Sequence, residues 1–485
     1  MSDFAFTSDY TVGIEEELLL VDRETRRLAP VAGAVLGAME VDSSAAGHEA
    51  YAAQLELRSP PAASVGEATA ALASLRAKAS AAGAVLLGCG LHPAGGMGEA
   101  DLVPASRYER VADEMRGLLR RTPESALHVH VGLPDERAAI AAFNGLRRHL
   151  PLLQALSASS PWWFGIDSGL ASARFSLARA YPGRGVPRSL RDLDELEELT
   201  AATLAAAGMP ESTFLWSDVR LHPRYGTVEV REMDAQSSLD DVAALTALVR
   251  AVALEAREAP PRAEEPSEAL EWSSFRAARD GTAATLLDGG SQRPLAEIAR
   301  DTVERLLPFA RELGDADALA GVERILEQGG GAGRQRAAFA RGGMDEVLRF
   351  LVADTAGGGS STVERASRLW LDARAARDLE RLAELTAADA TWVSPVDGRS
   401  SGRDAVVAQV AAGFHETDEF ATELLDYEAR GDKAVALIRN VARRNGDELD
   451  SRQALVFEEA GGVVTSVRIL VDDPEAVEAF WEDEG

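Results

Sequence analysis

The sequence predicts an α+β fold, and three observations lead to it. Short segments alternating apolar and polar residues recur through residues 1–356, long alanine-rich helical stretches separate them, and regular strand–helix alternation is missing. The strand-like segments include GIEEELLL at 13–20, AQLELRS at 53–59, LHVHVG at 127–132 and GTVEVREMD at 226–234. Helices are expected at 64–82, 135–157, 190–207, 238–257, 292–313 and 316–328, where apolar residues recur at helical spacing.

Two glycine-rich breaks punctuate the chain. GGGAG at 329–333 reads as a loop, and EAPPRAEEPSEA at 258–269 as a polar surface loop. GGGSS at 357–361 reads as a flexible linker, which divides the chain into a first domain at 1–356, the linker at 357–361 and a second domain at 362–485. A length of 485 residues gives both domains room for a core without staples.

Charge narrows the function. A formal net charge of −29 argues against nucleic acid as a partner, since a polyanion needs a basic face. Lysine occurs only at Lys78 and Lys433, so no phosphate-binding loop of the G-x-x-x-x-G-K type is present. Phosphate would therefore be handled by arginine and a divalent metal. A single cysteine, Cys89, suits a reducing compartment. No export signal or apolar run of membrane-spanning length is found, and a cytoplasmic location is expected with no membrane partner.

In a strand, residues i and i+2 share a face. Glu15 and Glu17 then stand together, opposite Ile14, Glu16 and Leu18; Gln54, Glu56 and Arg58 stand opposite Leu55 and Leu57. His128 pairs with His130, and Glu229 with Arg231, each opposite valines. Taken singly, a carboxylate pair on a strand is usually a solvated face and E-x-R a surface ion pair. If the strands are antiparallel neighbours, their polar faces collect several carboxylates and two imidazoles, which repel and shift one another unless cations bind. Hard oxygen donors in excess favour Mg²⁺, or Mn²⁺, over zinc, and arginine beside glutamate suits a carboxylate or phosphate.

GIEEELLLVD, LHVHVGLPD, LSASSPWWFGIDSGLASAR, WSDVRLHPRYGTVEVREMD, FRAARDGT and GGAGRQR occur in this order. Together they resemble the carboxylate–amine ligase family, the type 2 relatives of glutamate–cysteine ligase within the glutamine synthetase superfamily. The resemblance spans roughly residues 8–355 and implies an antiparallel, saddle-like sheet flanked by helices. It implies ATP and Mg²⁺ (or Mn²⁺) on the concave face, and two-step amide synthesis through an acyl phosphate. The acid implied is glutamate or a similar amino acid, with weak glutamate–cysteine ligase-type activity. By position, Glu15, Glu17, Glu56, His128 and Glu229 would ligate metal, with Glu15, Glu229 and Arg231 catalytic. Arg231 would hold the substrate carboxylate or phosphate, Asp167, Arg174 and Arg220 would also contact the substrate, and His130, Arg334 and Arg336 the nucleotide. Asp167 could instead cap a helix, and Arg220 could pair with Asp218. The chain departs from the family pattern at Ala126, Leu127, Ile166 and Ser273.

Residues 361–485 begin with a helix, STVERASRLWLDARAARDLERLAEL from 361, and continue into alternating strands such as KAVALIRNVARR. This segment is similar to the SnoaL-like branch of the nuclear transport factor 2-like superfamily, which implies a small α+β cone that holds a small molecule or pairs two chains. A homodimer is expected. Asp397, Arg439 and Asp472 are its polar candidates, each read as structural or exposed. Two alternatives stand beside the ligase: a metal-dependent hydrolase using His128 and His130, and a non-catalytic protein that binds nucleotide or another small molecule.

Overall fold

The computed structural model describes residues 4–6, 10–99, 101–258, 265–358, 362–415, 417–430, 433–460 and 463–481. The chain divides into two compact units, Met1–Gly359 and Ser360–Gly485.

The first unit is built on one antiparallel sheet. Its strands are β1 (Val12–Leu20), β2 (Ala46–His48), β3 (Gln54–Arg58), β4 (Leu86–Leu87), β5 (Leu127–Gly132), β6 (Val219–His222) and β7 (Thr227–Val230). They lie in the order β2-β3-β1-β5-β7-β6, with β4 paired to the end of β1. Register aligns the apolar alternates: Ile14 opposes Val129, Leu18 opposes Leu55, and Val129 opposes Val230. Together with Leu57, Val131 and Val228 these make one dry face.

That face is covered by helices α1 (Val65–Ala81), α2 (Glu136–Ser157) and α3 (Leu239–Glu258), which contribute Leu72, Leu146 and Val249 to the same core. Ser64 accepts from the Glu67 N–H and Asp135 from the Ala138 N–H, so local capping starts the first two helices. Glu16 also points to this face and is wholly buried, yet Arg76 of α1 meets it with two parallel hydrogen bonds of 2.9 and 2.6 Å. The remaining Arg76 donors satisfy the carbonyls of Gln236, Ser237 and Thr355.

Two expectations need correction. GGGAG is no loop: α4 (Ala316–Gln328) ends at Gly329, and α5 (Gly330–Ala353) starts at the next residue. Gly329 supplies the left-handed cap at φ 74°, while a Cβ on Gly331 would stand 2.3 Å from Ser159 Oγ, so glycine is needed there for close helix packing. The helix expected at 292–313 begins later, at Leu295, because Ser291–Pro294 pairs as a strand with Thr285–Asp288. Of the polar segment at 258–269, residues 259–264 lie outside the described residues, and a helix has begun by Ser267. Of the linker at 357–361, residues 359–361 lie outside them, and Asp354–Gly358 forms a π-helical turn.

The second unit packs helices Thr362–Ala375, Leu379–Glu384 and Arg403–His415 with a six-stranded sheet. Strand order is Gly398–Ser401, Thr386–Ser394, Val463–Val471, Asp447–Ala460, Lys433–Arg444 and Glu419–Arg430. The second and third of these run parallel and the other neighbours antiparallel. Trp370, Ile438, Phe457 and Val467 centre its core. Asp397 accepts from Trp392 Nε1, Arg439 pairs with Asp450 at the surface, and Asp472 accepts backbone N–H groups; all three are structural.

Candidate active site

The wet face of the first sheet gathers the charged alternates into a grid. Register sets Glu15 between Arg58 and His128, Glu17 opposite Glu56, and Glu229 between His130 and Arg220. His128 Nδ1 is 3.6 Å from Glu15 Oε2 and its Nε2 is 3.8 Å from Glu17 Oε1; His130 Nε2 lies 3.7 Å from both Glu15 and Glu229. Carboxylate oxygens of Glu15 and Glu229 and a His128 nitrogen all fall within 4.8 Å of one another. Both His128 ring nitrogens are buried without a hydrogen bond. Two acids and a buried imidazole lacking partners fit a divalent cation.

Cations of the protein neutralise one end of the grid. Glu229 is fully buried; burial opposes its charge, but Arg231, His130 and Arg220 outweigh burial and hold its carboxyl far below the usual range. Arg220 Nε donates to it at 2.5 Å and Arg231 also pairs with it. Glu15 is likewise held low, because the nearby His128 and His130 imidazoles outweigh burial. His128 is pushed down to about 3 by burial and by Arg231, whereas His130 is raised because Glu229 and Glu15 outweigh burial.

The other end carries excess acid. Burial and Glu49 push Glu56 up to about 8 although Arg58 pairs with it; burial, with Glu56 adding, pushes Glu17 to about 7; burial and Glu17 push Glu49 to about 7. Glu17 is held in place by the Ala126 N–H at 2.8 Å and by Gln54 Nε2, which also bridges to Glu124 O and Ser125 Oγ.

A cavity of about 280 Å³ opens onto this grid. Glu15, Glu17, Glu56, His128, Arg174, Arg220 and Arg231 line it, joined by residues the sequence did not single out: Glu49, Arg107, Tyr108, Glu124, Arg184 and Trp216. These come from loops and a short helix, Ser106–Met115, where no strand alternation marks an inward side chain. Arg174 Nε, Arg184 Nη1 and Arg231 Nε are buried without hydrogen-bond partners. Burial and the charge of Arg174 bring the Arg184 guanidinium down to about 10. Asp234 anchors Arg174 from behind, accepting from Ser159 N, Ser160 Oγ and Ser172 Oγ as well as Arg174 Nη1, which explains the serine-rich LSASS segment.

Several assignments change. Asp167 and Arg336 form a two-hydrogen-bond ion pair with each other, and Arg334 pairs with Asp241 of α3; none of the three lines the cavity. Asp167 caps no helix, since Ser172 caps Ala173–Ala178. Arg220 pairs with Glu229 and not with Asp218, which Arg179 occupies. His130 is not among the cavity's lining residues; its Nδ1 meets Thr227 Oγ1 at 3.0 Å, its Nε2 is left without a hydrogen bond, and the trio holds only His128 of the two imidazoles.

The sheet face thus concentrates carboxylates, an imidazole and guanidinium groups around one cavity. The family model described as "Glutamate-cysteine ligase family 2" matches residues 11–354, and "SnoaL-like domain" matches 367–467. A Rubrobacter xylanophilus protein bearing the name "Putative glutamate--cysteine ligase 2-3" is 40% identical over 362 residues, 73% of this chain and 99% of its own length. "Glutamate--cysteine ligase" of Natronomonas pharaonis is 32% identical, over 72% of this chain and 96% of its own. Among solved structures, Bal32a from a soil-derived mobile gene cassette is 29% identical, covering 25% of this chain and 98% of its own, with a TM-score of 0.25. The chain belongs to glutamate-cysteine ligase family 2, and it is a ligase that carries a SnoaL-like domain after its catalytic unit. Among the described residues no helix is long and apolar enough to cross a membrane.

Proposed function

We propose that the first unit joins a carboxylate to an amine at the expense of ATP, with glutamate or a similar amino acid as the acid. A carboxylate oxygen of the acid attacks the γ-phosphorus of ATP, ADP leaves, and the amine nitrogen then attacks the acyl carbon, loses a proton and displaces phosphate. The observation that carries this reading is the Glu15, His128 and Glu229 trio, with its unpartnered imidazole, of which Glu15 and His128 line a cavity rich in arginine. That trio would hold Mg²⁺ or Mn²⁺, which when bound supplies neutralisation of phosphoryl charge.

The chain's own groups account for the rest. Arg174, Arg184 and Arg231 each keep a buried N–H without a partner, and a planar guanidinium matches a carboxylate or phosphate oxygen pair. Arg220 and Arg231 fix the Glu229 carboxylate from two sides, which preorganises it instead of leaving it to move on binding. The relatives' names support glutamate as the acid and cysteine as one amine to try.

The test is ADP release by the purified full chain with ATP and Mg²⁺, against a panel of amino-acid carboxylates, with and without cysteine and other amines. Release that requires an acid and rises with one amine is expected. ATP breakdown indifferent to every acid, or no ATP binding, would overturn the proposal.

A further inference from the structure

The SnoaL-like unit buries a positive charge that its described residues do not neutralise. Arg374, in the last turn of helix Thr362–Ala375, is 8% exposed. Its Nη1 donates to Thr422 Oγ1 at 3.1 Å and its Nη2 to Asn440 Oδ1 at 3.5 Å, and Thr422 Oγ1 donates to Asn440 Oδ1 at 2.8 Å. The Phe420 ring stands 5.7 Å from the guanidinium carbon. No carboxylate among the described residues pairs with Arg374, and burial alone brings its guanidinium down to about 10. An isolated buried charge is unfavourable, and proteins retain one where a counter-charge arrives from elsewhere.

The surroundings are laid out as a row. Thr422 opposes Asn440 and Asn440 opposes Ser451, so three polar side chains cross three adjacent strands on one face. Along that face Ile438 and Ala442 flank Asn440, while Leu449 and Gln453 flank Ser451. Ser451 is 3% exposed and its hydroxyl has no hydrogen-bond partner.

We propose that Arg374, Thr422, Asn440 and Ser451 form a binding site for a small organic carboxylate inside the SnoaL-like unit. One guanidinium among three neutral groups balances one negative charge, which favours a carboxylate over a phosphate or sulfate dianion. The planar fork matches two carboxylate oxygens, and the Ser451 hydroxyl supplies a further donor. The site is independent of the ligase chemistry, so its failure would leave the proposed function untouched.

Hydrogen–deuterium exchange of the full chain, read by mass spectrometry, tests this with sodium acetate and sodium benzoate as probes and sodium sulfate at matched ionic strength as the control. Either carboxylate is expected to slow exchange in segments 362–375 and 433–456 saturably, and sulfate to leave it unchanged. Arg374→Met should abolish the effect while melting no lower than the parent, since it removes a buried charge without a counter-ion. Ser451→Ala, which keeps the guanidinium, should raise the half-saturating concentration several-fold. No protection by either carboxylate, equal protection by sulfate, or protection unchanged in both variants would each overturn the proposal. Should Arg374→Met not fold, an unchanged response in Ser451→Ala and Thr422→Val decides against it.

Discussion

The three consecutive glutamates of β1 meet three different surroundings. Glu16 is answered by Arg76 in the core, Glu15 by two imidazoles, and Glu17 stands opposite Glu56 with Glu49 close by, where burial pushes all three acids upward. Like charges facing each other across a sheet are destabilising. Removing a carboxylate should therefore have opposite effects at the two ends of the site. Glu229→Gln leaves Arg220 and Arg231 buried without their counter-ion, so it should lower metal-free stability by on the order of 3 kcal/mol and metal-dependent kcat by about 100-fold or more. Glu49→Gln should raise the metal-free melting temperature by about 1–3 °C at pH 9, where the acids would otherwise be ionised together. Melting both variants in chelator checks the pair, and a rise for Glu229→Gln would remove the assigned charge balance. Side-chain alternation made Glu15, Glu17, Glu56, His128 and Glu229 legible in the sequence as one face. Glu49 and Arg184 were not legible, because each sits in an irregular segment whose inward direction is set by distant packing.

At the scale of elements, β1 and α1 are joined by a buried ion pair that no local pattern announces. Arg76 sits on a helix rich in alanine, and nothing within its neighbourhood in sequence indicates a partner sixty residues earlier. Arg76→Met should strand Glu16 in the core and lower stability by about 3–5 kcal/mol. The double variant Glu16→Leu with Arg76→Met should recover part of that loss, and only part, because Arg76 also satisfies three backbone carbonyls. Urea midpoints of Glu16→Leu, Arg76→Met and the double variant, each against the parent, give the coupling directly, and additive losses would deny it. Helix positions at 64–82, 135–157 and 316–328 were readable from apolar spacing. The glycine run at 329–333 was misread because a helix start pressed against Ser159 and a flexible loop both call for glycine, and only packing separates them.

Across the whole molecule, a net charge of −29 makes acid titration a broad event, yet buried and half-buried histidines set a distinct part of it. His149 of α2 is brought down to about 4, chiefly by burial, with Arg305 contributing against the pull of Gly145 O and Glu255. In the unfolded chain its pKa is about 6.5. Between those values the unfolded state binds a proton that the folded state does not, so stability falls as pH falls from about 6.5 to about 4 and this contribution levels off below. His149→Gln removes the proton-binding difference while keeping a side-chain donor for Gly145 O, which His149 Nδ1 now meets at 2.8 Å. The variant should therefore lose less stability than the parent over that window, by on the order of 2 kcal/mol, and match the parent's slope above pH 7. Melting temperature measured at intervals from pH 4 to pH 8 for both proteins separates this from a simple change in packing, which would displace the two curves by the same amount at every pH. His222 and His128, lowered to about 4 and about 3, act in the same direction, so the acid limb should shrink in His149→Gln without disappearing.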